Sequence, residues 1–291
     1  MRAKMIDWMI EVTKTYKFTE NTFALSINIM DNYFQNSQRQ LQPSELHLIG
    51  ITCMFIASKF EEIIPFNLNI LQDKISHKRL SKQQLKNMEF EILYCLDFKI
   101  PSTNLHTLIQ QIAFYFSLFI FNQEYNDFLK NIFIYIYKQT IFNYQILSIY
   151  NNKLIAAGII YVSLKIIEQF DVQIENNILL DQIGQILHLN KQEIINVSVE
   201  ILSFAKSYDN IFPNLNNLKK YNGIEFDKQC QLAIQFSQDS QKIFPKQQNQ
   251  QYQQNIQLQQ NFQQENNKEN QNIYQILEKN ENKIQKTKCK I

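Results

Sequence analysis

The chain has 291 residues, 45% of them hydrophobic, which is enough to bury one large core or two domains of ordinary size. Its formal net charge is only +2, and the three arginines, Arg2, Arg39 and Arg79, are too scattered to form a phosphate-gripping stripe, which argues against a nucleic-acid binder. Four glycines and five prolines are too few for a sheet protein with many tight turns; the four cysteines, Cys53, Cys95, Cys230 and Cys289, show no CxxC spacing and no secretory leader precedes them, which disfavours a disulfide framework or a zinc knuckle and points to a reducing, intracellular setting.

Apolar residues recur at helical spacing from the first residues onward: Met5, Met9 and Val12, then Phe23, Ile27, Met30 and Phe34. Pro43 stands just inside a third helix, and Ser81 with Gln84 has the form of a capping box opening a fifth. The first hundred residues therefore divide into five helices. A sixth is expected after Pro101 with Ser102 as its cap, and the stretch to about Tyr208 reads as roughly five more, with Asn190 and Glu193 repeating the capping logic near the end. The most apolar runs, Ile112 to Phe121 and Leu154 to Ile167, are shorter than the roughly 20 residues needed to span a bilayer and read as core helices.

From about Ser237 the composition turns to glutamine and asparagine. Tyr252, Ile256, Leu258 and Phe262 are too sparse there to build a core, so residues 236–291 read as a disordered low-complexity tail. A short amphipathic helix around Ile273, Ile276 and Leu277 would not be stable alone. The fold class is all-α: two five-helix units over residues 1–100 and 101–235, then the tail. No residue-level repeat links the halves, so duplication rests on helix count and length.

Enzymatic chemistry has little to work with. GxxxxGK[ST], GxSxG, HExxH and GxGxxG are all missing, the glycines (Gly50, Gly158, Gly184, Gly223) stand alone, and the histidines His47, His77, His106 and His188 fall on different predicted elements.

The opening MRAKMIDWMIEV, then SINIMDNYF, LHLIGITCMFIASKFEEI and KNMEFEILYCLDFKIPS, resembles the cyclin box of mitotic, A/B-type cyclins segment after segment over residues 1 to about 100. The segment NNKLIAAGIIYVSLK looks like part of a second cyclin fold. Residues that mark cyclin boxes stand here as Arg2, Asp31, Leu48, Lys59 and Glu89. The resemblance implies a non-enzymatic regulatory subunit that binds and activates a cyclin-dependent protein kinase in cell-cycle control, with no cofactor and no metal, located in nucleus and cytoplasm, and with no membrane or nucleic-acid partner.

By that resemblance Lys59 and Glu89 would hydrogen-bond the backbone of the kinase's mobile small-lobe helix, while Phe60, Glu61, Glu62, Leu93 and Phe98 surround the contact. Spacing alone puts Leu93 four residues beyond Glu89, on a face distinct from the core stripe Leu85, Met88 and Ile92. Arg2 and Asp31 would form a structural ion pair between the first two helices. Met1, Met5, Trp8, Glu11 and His47 would form the family's docking patch for Arg-x-Leu substrates or inhibitors. Lys4 stands where the patch usually has an aliphatic residue and His47 where it usually has glutamine, and a cation there should weaken the docking of an arginine. The opening residue already lies in the first box helix, ahead of which such proteins usually carry a further helix and a destruction motif. Lys268, Glu269 and Asn270 spell a KEN motif, a candidate degron through which a ubiquitin ligase would act.

Two other readings share the fold: a transcription-type cyclin, which would keep the Lys59 and Glu89 contacts, and a cyclin-fold transcription factor binding nucleic acid, which should show a zinc ribbon and a basic face. The tail lysines Lys283, Lys286, Lys288 and Lys290 are too loosely spaced to read as more than a solvated terminus.

Overall fold

The structure, a computed structural model, describes residues 1–100, 104–120, 123–167, 176–222 and 230, with side chains omitted at 115–120, 123–128 and 176–179. No strand occurs among the described residues. The first hundred residues form α1 (Arg2–Thr15), α2 (Glu20–Asn36), α3 (Leu46–Glu61), a short α4 (Leu68–Ile70) prolonged by a π-turn through Ile75, and α5 (Lys82–Cys95). Then come α6 (Leu105–Ile120), α7 (Gln123–Phe142), α8 (Tyr144–Ile149), α9 (Asn152–Ile167), α10 (Asn176–Leu187), α11 (Lys191–Ile211) and α12 (Asn217–Asn222). Five of these seven are long; α8 and α12, of six residues each, are additions to the expected five.

Local chemistry sets the boundaries. Thr19 caps α2 by accepting from the Thr22 N–H, and Ser81 and Gln84 close a reciprocal capping box on α5. Pro43 opens a single 3-10 turn that leads into α3. One expected cap lies outside the described residues and another differs in detail. Ser102 lies outside the described residues, and it is Asn104 whose Oδ1 accepts from the Thr107 N–H at the head of α6. Asn190 does cap α11, but at the Gln192 N–H, one residue short of Glu193.

Each half is organised on one apolar helix, α3 or α9, whose residues are buried almost all round. A glycine sits where each crosses a neighbour. A Cβ on Gly50 would fall 2.3 Å from Met5 Sδ of α1, and one on Gly158 would fall 2.7 Å from Val197 Cγ1 of α11. Both crossings are therefore closer than an alanine would allow. The core stripe Leu85, Met88 and Ile92 holds α5 against α3.

All these helices belong to one unit, Met1–Gln238, in which α2 packs on α6 and α1 on α7 and α12. Polar groups accompany this contact. Lys138 of α7 is 1% exposed and pairs with Glu20 of α2 at 2.8 Å, and Glu20 also holds Lys14 at 2.7 Å. Asp7 of α1 accepts from the backbone and side-chain N–H groups of Asn217 at 3.1 and 2.8 Å, so its carboxylate caps α12 from 210 residues away. The tail 236–291, with its KEN residues Lys268, Glu269 and Asn270, lies outside the described residues.

Candidate functional site

The face formed by the carboxyl end of α3 and the outer side of α5 carries most of the residues singled out in the sequence. Lys59, in the last turn of α3, pairs with Glu89 in the middle of α5, and its ammonium lies 3.8 Å from the centroid of the Phe55 ring. The pair opens to solvent on its lysine side, Lys59 being 41% exposed and Glu89 18%, and pairs at a solvent boundary contribute only about 0–1 kcal/mol to stability. Stability therefore does not account for its placement. Its ammonium and carboxylate are oriented by one another and by the Phe55 ring.

Large apolar side chains surround it. Phe60 is 62% exposed and Phe98 59%, with Ile63 and Ile64 wholly or nearly so. Leu93 is half-buried and Glu61 exposed. Phe98 reaches this face through a helix end in which Asp97 and Phe98 both have positive φ, 52° and 54°, with the Phe98 N–H donating to the Leu93 carbonyl at 2.8 Å and the Asp97 N–H to that of Tyr94 at 3.0 Å. A phenylalanine is strained in that backbone region.

The sequence reading passed over Phe90 and Tyr94, exposed by 62% and 71%, whose rings stack at 5.9 Å, with Phe98 edge-on to Phe90 at 6.4 Å. The signal was present: two aromatics four residues apart, off the core stripe of an otherwise polar helix face. A cluster of this size on a soluble surface marks an interaction site.

Glu62, another of the expected contact residues, also bonds within the fold. Glu62 Oε1 accepts from the Thr19 N–H at 2.7 Å, from Thr19 Oγ1 at 3.0 Å and from Thr22 Oγ1. It fastens the end of α3 to the start of α2, which gives it a structural part in the fold.

Arg2 and Asp31 form a two-pronged pair, Nε and Nη2 each 2.7 Å from a carboxylate oxygen, with both side chains 15% exposed. Arg2 Nη1 donates to the Ile141 carbonyl at 2.6 Å, and the guanidinium lies 5.3 Å from the Tyr144 ring centre. The arginine thus ties α1 to the second half as well as to α2.

The expected docking patch is only partly a surface. Met1 is exposed and Trp8 half-exposed, edge-on to His47 at 5.0 Å, and Glu11 is half-buried. Met5 is 6% exposed because its thioether fills the space over Gly50; it packs α1 on α3 and offers no contact area. Burial, with Arg79 and His77 nearby, holds the His47 imidazole below its ordinary pKa.

No group of three or more His, Cys, Asp or Glu side chains suited to a metal ion occurs among the described residues, and no described helix is long and apolar enough to cross a membrane.

Residues 1–101 match the family described as "Cyclin, N-terminal domain". Residues 1–101 therefore form a cyclin box. The chain is 35% identical over 102 residues to Cyclin-A1-4 of Oryza sativa subsp. japonica, covering 35% of this chain and 28% of that one. It is 36% identical over 100 residues to the G1/S-specific cyclin-E of Drosophila melanogaster, covering 34% and 14% respectively. The match thus spans under a third of the length of these relatives, and the box is A-type-like. In its fold the chain is similar to the X-ray structure of a viral cyclin from herpesvirus saimiri, with a TM-score of 0.55 at 18% identity, covering 70% of this chain and 85% of that one.

Proposed function

We propose that this chain is a cyclin, the regulatory subunit of a cyclin-dependent protein kinase, docking through the Lys59–Glu89 face and taking no chemical part in phosphoryl transfer. The observation that carries the proposal is the pair itself, held on a surface of exposed aromatic rings where it adds little to stability. Burying Phe60, Phe90, Tyr94 and Phe98 against a partner supplies apolar free energy, and the charged pair fixes register on a helix end. Efficient phosphoryl transfer needs a lysine–glutamate pair assembled in the kinase small lobe and an ordered activation loop. A subunit that binds that arrangement preferentially shifts it from 1:99 to 99:1 with about 5.5 kcal/mol of differential affinity, within the reach of one interface.

In this reading residues 1–100 and 101–235 are two cyclin folds, the first carrying the contact, and the Trp8 face is a second docking surface. The protein works in nucleus and cytoplasm, and the KEN residues Lys268, Glu269 and Asn270 mark it for a ubiquitin ligase. The test is capture of a kinase on the immobilised chain with activity assayed on the beads. Replacing Lys59 and Glu89 together by alanine should abolish both capture and activity; full activity from the double variant would remove the pair from the interface.

A further inference from the structure

Arg39, in the connection between α2 and α3, joins elements that are far apart in the chain. Its Nη1 and Nη2 donate to the two carboxylate oxygens of Glu45, each at 2.9 Å, and its Nε donates to Glu91 Oε1 of α5 at 2.5 Å. The same Glu91 oxygen accepts from the Tyr33 hydroxyl of α2 at 2.5 Å, and the Tyr33 oxygen accepts from Arg39 Nη2 at 3.3 Å. Glu45 is held in turn, since its Oε2 also accepts from the Gln42 N–H in the turn that leads into α3. Tyr33 is fully buried, and burial together with its bond to Glu91 pushes its pKa up to about 12, so the phenol stays a donor at neutral pH. A forked guanidinium and a buried hydroxyl thus converge on one carboxylate of α5.

The stripe Leu85, Met88 and Ile92 buries α5 against α3, but apolar contact is non-directional and defines the rotation of a helix about its own axis only loosely. Glu89 and Glu91 lie two residues apart, about 200° of helical rotation, and so on opposite flanks of that stripe. Lys59 of α3 holds the first flank, and Arg39 with Tyr33 holds the second. Leu93, Phe90 and Tyr94 lie between the two flanks on the outer side, the aromatic pair 62% and 71% exposed. A rotation of α5 would part Glu89 from Lys59 and carry the stacked rings with it. Exposed ion pairs add little to stability, and Arg39 and Glu91 are each 39% exposed; an arginine whose fork is fixed on Glu45, however, defines direction as well as charge.

We propose that Arg39 is a positioning residue for the kinase-docking face: fixed on Glu45 and acting through Glu91, it sets the rotation of α5 and with it the presentation of Glu89, Phe90 and Tyr94. Fastening the connection between α2 and α3 would need only Glu45; the bond to Glu91, and the buried hydroxyl that shares its oxygen, serve α5. Lys59 and Arg39 then clamp the helix from its two sides. A docking face already held in one setting loses less conformational freedom when a partner binds. The effect on binding rests on the kinase reading, whereas the effect on α5 is measurable in the free chain.

The full chain is compared with Arg39→Ala, with Arg39→Glu, and with Arg39→Glu combined with Glu91→Arg, which moves the arginine to α5 and faces it with two carboxylates. Each is followed by thermal unfolding, by amide hydrogen exchange in α3 and α5, and by kinase capture well below the melting transition. Arg39→Ala and Arg39→Glu should speed exchange in α5 about fivefold, leave α3 and the unfolding midpoint close to wild type, and weaken kinase capture about tenfold. Adding Glu91→Arg should bring exchange and capture back to within about threefold of wild type. Unaltered α5 exchange in Arg39→Ala, faster exchange with full kinase capture, or failure of the exchanged pair to restore exchange and capture would each overturn the proposal. Lost capture with a lowered midpoint and uniformly faster exchange would also overturn it, marking Arg39 as a general support of the fold. If the wild type captures no kinase, the kinase reading falls by itself, and α5 exchange in the same variants decides whether Arg39 positions that helix.

Discussion

Arg2 grips Asp31 through two bonds of 2.7 Å and uses its remaining Nη to reach the Ile141 carbonyl at 2.6 Å, so one side chain fixes α1 against both α2 and α7. Asp31→Asn should cost about 2–4 kcal/mol in denaturant unfolding, because it leaves a largely buried guanidinium without its counter-charge. Arg2→Lys should not rescue stability, since an ammonium cannot form the planar fork. A loss below about 0.5 kcal/mol for Asp31→Asn would show the pair to be an incidental surface contact.

Glu62 separates a structural role from a binding one. Its Oε1 serves one backbone N–H and two threonine hydroxyls at the head of α2. Glu62→Ala should lower stability by about 1–3 kcal/mol by stripping those donors of their acceptor. Kinase affinity measured well below the melting transition should remain as in the wild type. Loss of affinity with unaltered unfolding would return Glu62 to the kinase interface.

Between the halves, Lys138 is almost wholly buried and depends on Glu20. Burial works against the Glu20 carboxylate, but Lys138 and Lys14 outweigh it and hold the pKa below its ordinary 4.5. A depressed carboxyl pKa stabilises the fold above the unfolded value, and that contribution is lost as pH falls through the folded value. Glu20→Gln should cost about 3 kcal/mol near neutrality. The difference in unfolding free energy between wild type and variant should shrink as pH drops from about 5 to about 3. A difference that is flat across that window would mean Glu20 is not the group that charges Lys138's site.

The helical segments were legible because helices announce themselves locally. Ser81 and Gln84 read as a capping box from three residues' separation, and the stripe Leu85, Met88 and Ile92 named its own buried face. What escaped depends on contacts across long stretches of chain. Glu62 meets Thr19 over 43 residues, Asp7 meets Asn217 over 210, and Arg2 meets Ile141 over 139. No local pattern encodes such partners. Asn104 caps α6 through the Thr107 N–H, a role its place in the sequence did not single out because several side chains near a helix start can serve as a cap. Met5 shows the opposite failure: its helical phase with Met1 and Trp8 was read correctly, but only the glycine at position 50 of another helix reveals that its side chain turns inward.

The central claim, that the Lys59–Glu89 face captures a kinase, is tested most directly by exchanging the two charges. Lys59→Glu with Glu89→Lys preserves an ion pair between α3 and α5, so unfolding should match the wild type within about 0.5 kcal/mol. A kinase that reads an ammonium from α3 and a carboxylate from α5 meets both with the wrong sign. The account predicts that the exchanged variant, immobilised in a lysate of the source cells, captures at least thirtyfold less kinase activity than the wild type, corresponding to about 2 kcal/mol. Equal capture by the two proteins would contradict it.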